Sequence, residues 1–259
     1  MTSTDLHTDI RDHVAIVRLT RGKKRNALSD GLILALRDTF QNLPATVRVA
    51  VIDGEGEHFC AGLDLSELKE RDAGQGVHHS RMWHAALDCI QSGPVPVVAA
   101  LHGAVVGGGL ELASACHIRV ADDTAFYALP EGSRGIFVGG GGSVRIPRLI
   151  GTARMMDMML TGRVYNAQDG ERLGFAQYLV PAGQSLPAAL ELARELAAGA
   201  QLPLRAIKET ALATWGMSEG EAMALRETLA SVIAVKQSED QVEGAAAFAE
   251  GREPEWKGR

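Results

Sequence analysis

PVPVVAALHGAVVGGGLELASACHIRV, residues 94–120, reads as a strand, a glycine turn and the start of a helix. The run Val95 to Leu101 is short, apolar and rich in valine, as a buried strand should be. Gly103 and the triplet Gly107–Gly109 follow, and then Leu110 to Ala115 look helical. Glycine permits positive φ and lets another molecule approach the backbone closely. The first N–H groups of a helix lack partners within it and carry the positive end of its dipole. Such an end attracts an anion or a developing oxyanion. Glu111 sits in that first turn among apolar residues, so it is either a helix-end charge or a catalytic group. The stretch has neither the GxGxxG spacing of a dinucleotide fold nor the GxxxxGK[ST] of a phosphate loop. The plainer reading is a tight strand-to-helix turn that needs small residues.

Outward from this segment, the chain alternates. His13 to Thr20 alternates like a strand, RGKKRNALSDG is a basic turn, and Leu32 to Leu43 has helical apolar spacing with Ser29 and Asp30 as caps. Val47 to Asp53 is a second strand, followed by the loop HFCAGLDL, where Asp64 or Ser66 is placed to cap a helix. Residues 67–80 are polar and read as a mobile loop, and Met82 to Ser92 as a helix. A further short unit surrounds Ala125 to Leu129. Strand, strand, helix, repeated with different loops, predicts an α/β layered core. From Thr152 the texture becomes helical, with a short strand over Ala176 to Val180. Leu186 to Ala200 and Leu204 to Ser238 read as amphipathic helices. Residues 1–195 are therefore expected to form the core. Residues 196–259 are expected to form a helical region that packs on that core or on another subunit.

The chain has 259 residues, of which 46% are hydrophobic and 22% charged, an ordinary globular balance. Its net charge of -6 argues against a general nucleic-acid binder, which needs a basic footprint. No apolar run reaches the roughly 20 residues of a membrane helix. The N-terminal residues show no basic segment followed by an apolar core. A cytoplasmic location is the expectation. The three cysteines, Cys60, Cys89 and Cys116, are widely spaced without a CxxC, so neither a disulfide framework nor a metal site is suggested.

Two further segments carry chemistry. Glu131 follows Leu129-Pro130 and precedes a glycine-rich run that includes Gly135 and Gly139–Gly142. Taken alone it reads as a solvated loop glutamate. Beside Glu111 on its own glycine loop, it becomes one of two carboxylates that can face one water molecule, one as base and one as acid. The loop HFCAGLDL offers a backbone N–H after Gly62, which can join one from Gly107–Gly109 in a two-donor oxyanion hole. Cys60 reads as a buried structural thiol, because no histidine partner is assignable to it.

Together these stretches resemble the crotonase (enoyl-CoA hydratase/isomerase) superfamily. The resemblance runs through RGKKRNALS, HFCAGLDL, HGAVVGGGLELASACHIRVA, LPEGSRGI, LTGRVYNAQDGERLGFAQYLV and the ending FAEGREPEWKGR. It implies a spiral of ββα units with a C-terminal helical trimerisation region, assembled as a homotrimer or a dimer of trimers. It implies an acyl-CoA substrate, with coenzyme A part of that substrate rather than a separate cofactor, and no metal. The oxyanion donors match Leu63 and Gly108, and the two water-handling glutamates match Glu111 and Glu131. Cys60, Ala61 and Gly62 match the loop beside the CoA adenine, and Lys24 and Arg25 the position near its phosphates. Lys257 matches a residue that reaches a neighbouring subunit's CoA. Trp83, His84, Phe137 and Val138 are expected around the acyl pocket.

The chain departs from the family pattern where His117 replaces an aspartate, where Phe137-Val138 and Gly139–Gly142 follow the second glutamate, and where Val144 replaces a glutamine. Retention of both glutamates favours hydration of a 2-enoyl-CoA. An enoyl-CoA isomerase, a C–C hydrolase, an aromatic acyl-CoA hydratase-lyase and a CoA- or RNA-binding relative without catalysis are the alternatives.

Overall fold

A computed structural model describes residues 5–67 and 72–259. Strands β1 (Leu6–Arg11) and β2 (Val14–Leu19) form an antiparallel hairpin. Helix α1 (Asp30–Gln41) follows, capped by Ser29, whose hydroxyl accepts the Leu32 N–H at 3.1 Å. After β3 (Val49–Gly54) the loop 58–64 leads to α2 (Ala73–Gln91). This helix corrects the expectation of a mobile loop over 67–80, whose residues 68–71 lie outside the described residues. Asp72 and Gln75 form a reciprocal capping box that starts the helix despite Gly74 and Gly76 in its first turns. Asp64 and Ser66 cap no α-helix; a single 3₁₀ turn, Leu65–Glu67, follows Asp64 and contains Ser66.

The opening stretch becomes β4 (Val97–Leu101), β5 (Ala104–Val106) and α3 (Gly108–Ala115). The next unit is β6 (Ile118–Asp122), β7 (Phe126–Ala128), a 3₁₀ turn over Gly132–Arg134, and α4 (Gly142–Ile150). Then come α5 (Thr152–Thr161), β8 (Tyr165–Asn166), α6 (Ala167–Leu173) and β9 (Tyr178–Val180). Helices α7 (Ser185–Ala198), α8 (Gln201–Ala213), α9 (Glu219–Thr228), α10 (Ala230–Gln237) and α11 (Glu239–Glu250) complete the chain.

Two sheets carry the strands. One has the order β1-β2-β3-β4-β6-β9, parallel from β2 onward, and the other is β5-β7-β8. The units β4-β5-α3 and β6-β7-α4 thus each give one strand to each sheet, whereas β1, β2 and β3 all belong to the large one. The chain bends between them at Gly103, which has φ +52°, and at Thr124 in the following unit, whose hydroxyl accepts the Gly103 N–H at 2.9 Å. A residue with a side chain is strained at such a φ.

The inner strands β3 and β4 of the large sheet are buried on both faces, as strands covered on both sides must be. Val49, Val51, Val98, Ala100 and Val120 face α7, which meets them with a stripe of Ala189, Ala193 and Ala197. Ala50, Ile52, Val97, Ala99 and Leu101 face the main core, which holds Leu32, Leu36, Leu87, Ile90 and Leu112. This period of two along the strands and four along the helix is the sequence pattern made visible.

The C-terminal region is more broken than the expected single helix over 204–238. Gly216 takes φ +96° and ends the α8 segment, and Ser218 with Glu221 forms a new capping box for α9. Helix α10 packs against α8. Neither α9 nor α10 has a buried residue, while Ile207, Met223, Ile233, Val242 and Phe248 are exposed. No helix among the described residues is long and apolar enough to cross a membrane.

Candidate active site

Three loops meet at the N-terminus of α3. Gly107 caps this helix with φ 54° and ψ −124°, a conformation open to glycine. Loop 60–63 is zipped into place by bridges from Leu28 to Leu63 and from Cys60 to Val105. A Cβ on Gly109 would stand 2.3 Å from the Cys60 carbonyl oxygen, so only glycine lets the loop and helix come together. A Cβ on Gly62 would stand 3.3 Å from the Gly108 nitrogen, and one on Gly108 would stand 3.5 Å from the Leu63 nitrogen. The two expected oxyanion donors are therefore neighbours. Among the described residues neither N–H meets an acceptor, whereas the Cys60, Ala61 and Gly62 N–H groups are bonded to Ala104, Arg25 and the Cys60 sulfur.

Both glutamates reach the same place. A cavity of about 420 Å³ is lined by Leu63, Gly108, Glu111, Glu131, Trp83 and Phe137, among others. Glu111 is 3% exposed, and its Oε1 accepts the Gly140 and Gly142 N–H groups at 2.8 and 2.7 Å. Burial pushes its proton affinity up to about 7, and the nearby Glu131 charge adds to the rise. The Gly142 and Gly140 N–H groups and the Arg145 charge act the other way. Glu131 begins the 3₁₀ turn at Gly132–Arg134 and is also buried; its Oε2 has no hydrogen-bond partner among the described residues. Burial raises its proton affinity as well.

The remaining expected residues divide. Trp83 lines the cavity with its indole N–H fixed on Asp30 at 2.8 Å, and Phe137 stands at the mouth, 73% exposed. Val138 does not line the cavity; it is buried in the main core, because its neighbour Phe137 takes the outward direction. His84 and Val144 are exposed and do not line the cavity either. Cys60 and Cys116 are buried, and burial pushes both thiols up to about 12, so neither is a thiolate. His58 accepts the Ala104 N–H at 3.1 Å and serves structure.

Lys24 pairs with Asp64 at 3.0 Å, and Arg21 pairs with the same carboxylate at 2.8 Å. A hydrogen bond from the Ser66 hydroxyl and the Lys24 contact hold Asp64 well below the usual carboxylate range. Arg25 is exposed, adopts φ 52°, and ties the basic turn to loop 60–63 through its carbonyl. Lys257 lies against α11, with its Nζ 3.0 Å from Glu239.

Sequence reading passed over His79, Ser80 and Arg145. The first two line the cavity from α2: His79 Nε2 lies 2.6 Å from Asp30, and Ser80 donates to the Gly139 carbonyl at 2.8 Å. Both lie in the 67–80 stretch, which reads as a loop from sequence alone. Among the described residues no group of three or more His, Cys, Asp or Glu side chains is placed to hold a metal ion.

The family profile described as Enoyl-CoA hydratase/isomerase matches residues 9–259. The carnitinyl-CoA dehydratase of Proteus mirabilis is 37% identical over 262 residues, covering 99% of this chain and 100% of that protein. The 2,3-dehydroadipyl-CoA hydratase of Escherichia coli is 31% identical over 260 residues, covering 99% and 100%. The crystal structure of an enoyl-CoA hydratase from Bacillus anthracis superposes with TM-score 0.92 at 32% identity, covering 99% and 100%. That of a Rhodopseudomonas palustris protein superposes with TM-score 0.90 at 51% identity, covering 96% of each chain. The fold is thus the crotonase fold, and the chain belongs to the enoyl-CoA hydratase/isomerase family.

Proposed function

We propose that this protein adds water across the 2,3 double bond of an acyl-CoA thioester, and by the same groups catalyses the reverse dehydration. The observation that carries the reading is the placement of Glu111 and Glu131 in one cavity with the unpaired N–H groups of Leu63 and Gly108. Hydration of a conjugated thioester builds negative charge on the thioester oxygen. Two aimed N–H donors stabilise that charge, and loss of one such donor costs about 2.7–4 kcal/mol in well-studied oxyanion holes.

The two carboxylates differ in a way that suits two roles. Glu111 receives two backbone N–H donors, which favour its ionised form, and a proton affinity near 7 matches a base working near neutral pH. As base it removes a proton from water while the oxygen attacks C3. Glu131 has an oxygen without a donor in a buried place, which favours its neutral form. As acid it delivers its proton to C2. One water is consumed, and proton exchange between the two carboxyls through the product side restores the starting state.

Lys24, Arg25 and the 60–63 loop face the CoA portion in this reading, and Trp83, Val77, Ile136 and Phe137 the acyl portion. The exposed apolar side chains of α8–α11 form the contact surface of a homotrimer or a pair of trimers. The test is a panel of 2-enoyl-CoA thioesters, straight, branched, aryl and ω-carboxylated, followed by loss of conjugated-thioester absorbance. Turnover of at least one member is expected; no turnover of any member sinks the reading.

A further inference from the structure

Residues 139–142 are four consecutive glycines, with no side chains to define their path, and Gly141 holds φ at +95°. Glycine backbone has the most conformational freedom of any residue. Yet this run holds the Glu111 carboxylate with two short N–H contacts, from Gly140 and Gly142. Something outside the run must fix it.

Ser80 from α2 holds the first residue of the run by donating to the Gly139 carbonyl at 2.8 Å, and a buried guanidinium holds the part that carries the two donors. The carbonyl between the two donors, that of Gly140, accepts from Arg145 Nη1 at 2.6 Å. Arg145 is 4% exposed, and its Nε donates to Gln91 Oε1 at 2.5 Å at the end of α2. Gln91 is itself held, because its backbone carbonyl lies 2.9 Å from His117 Nε2. His117 Nδ1 accepts the Val97 N–H at 2.9 Å, so the ring proton sits on Nε2 and points at Gln91. Burial lowers the proton affinity of His117 to about 4, which keeps the ring neutral near pH 7. The chain of contacts runs from β4 through His117, Gln91 and Arg145 to the glycine clamp and Glu111.

We propose that Arg145 is the positioning residue for Glu111, fixing the glycine clamp through the Gly140 carbonyl and supplying the positive charge that the Glu111 carboxylate faces. The role rests on the reading of Glu111 as the base. A guanidinium is suited to it because it stays charged and its planar fork spans two acceptors at once. Among the described residues Arg145 makes no direct ion pair, so a buried charge is left to act through space. The groups that face it are Asp88, Glu111, Cys116 and Arg148, and Glu131 is the other charge acting on Glu111. Loss of Arg145 therefore leaves burial unopposed by that charge in holding Glu111 protonated, and leaves the clamp loose.

The test uses the full chain and titrates Glu111 directly, so that it does not depend on turnover. Glutamate labelled with carbon-13 at the carboxyl is read by NMR against pH, and Glu111 is the resonance missing from Glu111→Gln. In Arg145→Gln the Glu111 midpoint is expected to rise by about one unit. The kcat for enoyl-CoA hydration is expected to fall about 10- to 100-fold, with KM changed far less. An unmoved midpoint in Arg145→Gln overturns the proposal. Arg145→Lys keeps the charge but cannot span both anchors, so it is expected to keep the midpoint and lose kcat. A wild-type kcat in Arg145→Lys overturns the positioning role even where Arg145→Gln fails to fold. A Glu111 midpoint that rises in Arg145→Gln as stated, in a protein whose wild type hydrates no enoyl-CoA, supports the coupling and overturns the proposed activity.

Discussion

Gly142 donates its N–H to Glu111 Oε1 at 2.7 Å, and a Cβ on Gly142 would stand 2.8 Å from Glu111 Cγ and 2.9 Å from the same oxygen. One residue therefore holds the carboxylate and leaves room for it. Gly142→Ala is expected to displace the carboxylate and lower kcat about 100-fold, the scale of loss for a small misplacement of a catalytic group. Alanine is the better helix former at the start of α4, so unfolding free energy is expected to change by less than about 1 kcal/mol. Steady-state kinetics and thermal melts on the same preparation check both halves.

The pH dependence follows from Glu111. As a base it must be ionised, so kcat/KM is expected to rise with pH through about 7, and to fall again once Glu131, the acid, ionises. Stability runs in the opposite direction. Folding raises the proton affinity of Glu111 from its usual 4.5 to about 7, so the folded chain binds the proton more tightly than the unfolded one. That contribution is complete below about 4.5 and is lost as pH rises through about 7. Denaturant unfolding of wild type and Glu111→Gln between these limits is expected to show this slope in the first and its absence in the second.

Much of the site was legible because glycine marks it. The strand–turn–helix of residues 94–120 and the two glutamates on glycine loops were readable from spacing, since backbone close approach demands glycine wherever a Cβ would strike another chain segment. The second half of helix α2 was legible as Met82 to Ser92, but its first half was obscured because Gly74 and Gly76 lie in the opening turns and its polar residues face the cavity or solvent. Its start depends on the Asp72–Gln75 capping box, a signal present in sequence but weak among so many polar neighbours. Val138 is expected at the pocket as part of the Phe137-Val138 departure from the family pattern, yet adjacent residues in an extended segment face opposite ways. Arg145 was illegible because its partner Gln91 lies 54 residues away in sequence. No local pattern encodes that contact.

Gly220, in the first turn of α9, has nothing within 4 Å of a would-be Cβ and no positive φ. Gly220→Ala is expected to stabilise the protein by about 0.5–1 kcal/mol through the unfolded chain, with kcat unchanged. Chemical denaturation at fixed protein concentration measures it.

The exposed apolar residues of α8–α11 are expected to be covered in a trimer or hexamer. Sedimentation equilibrium should give three or six times the 27.5 kDa chain mass. Phe248, 90% exposed on α11, is one of the side chains that would meet a neighbour, and Phe248→Glu is expected to shift the distribution toward smaller species. A wild-type monomer at micromolar concentration would refute the assembly.

The central claim is that Glu111 and Glu131 act together on one water beside a two-donor oxyanion site. Hydration of crotonyl-CoA, or of the best substrate in the thioester panel, by wild type, Glu111→Gln and Glu131→Gln tests it most directly. Wild type is expected to consume the conjugated thioester, and each variant to lose about 10²- to 10⁴-fold in kcat while remaining folded. Full activity in both variants would contradict the two-carboxylate mechanism.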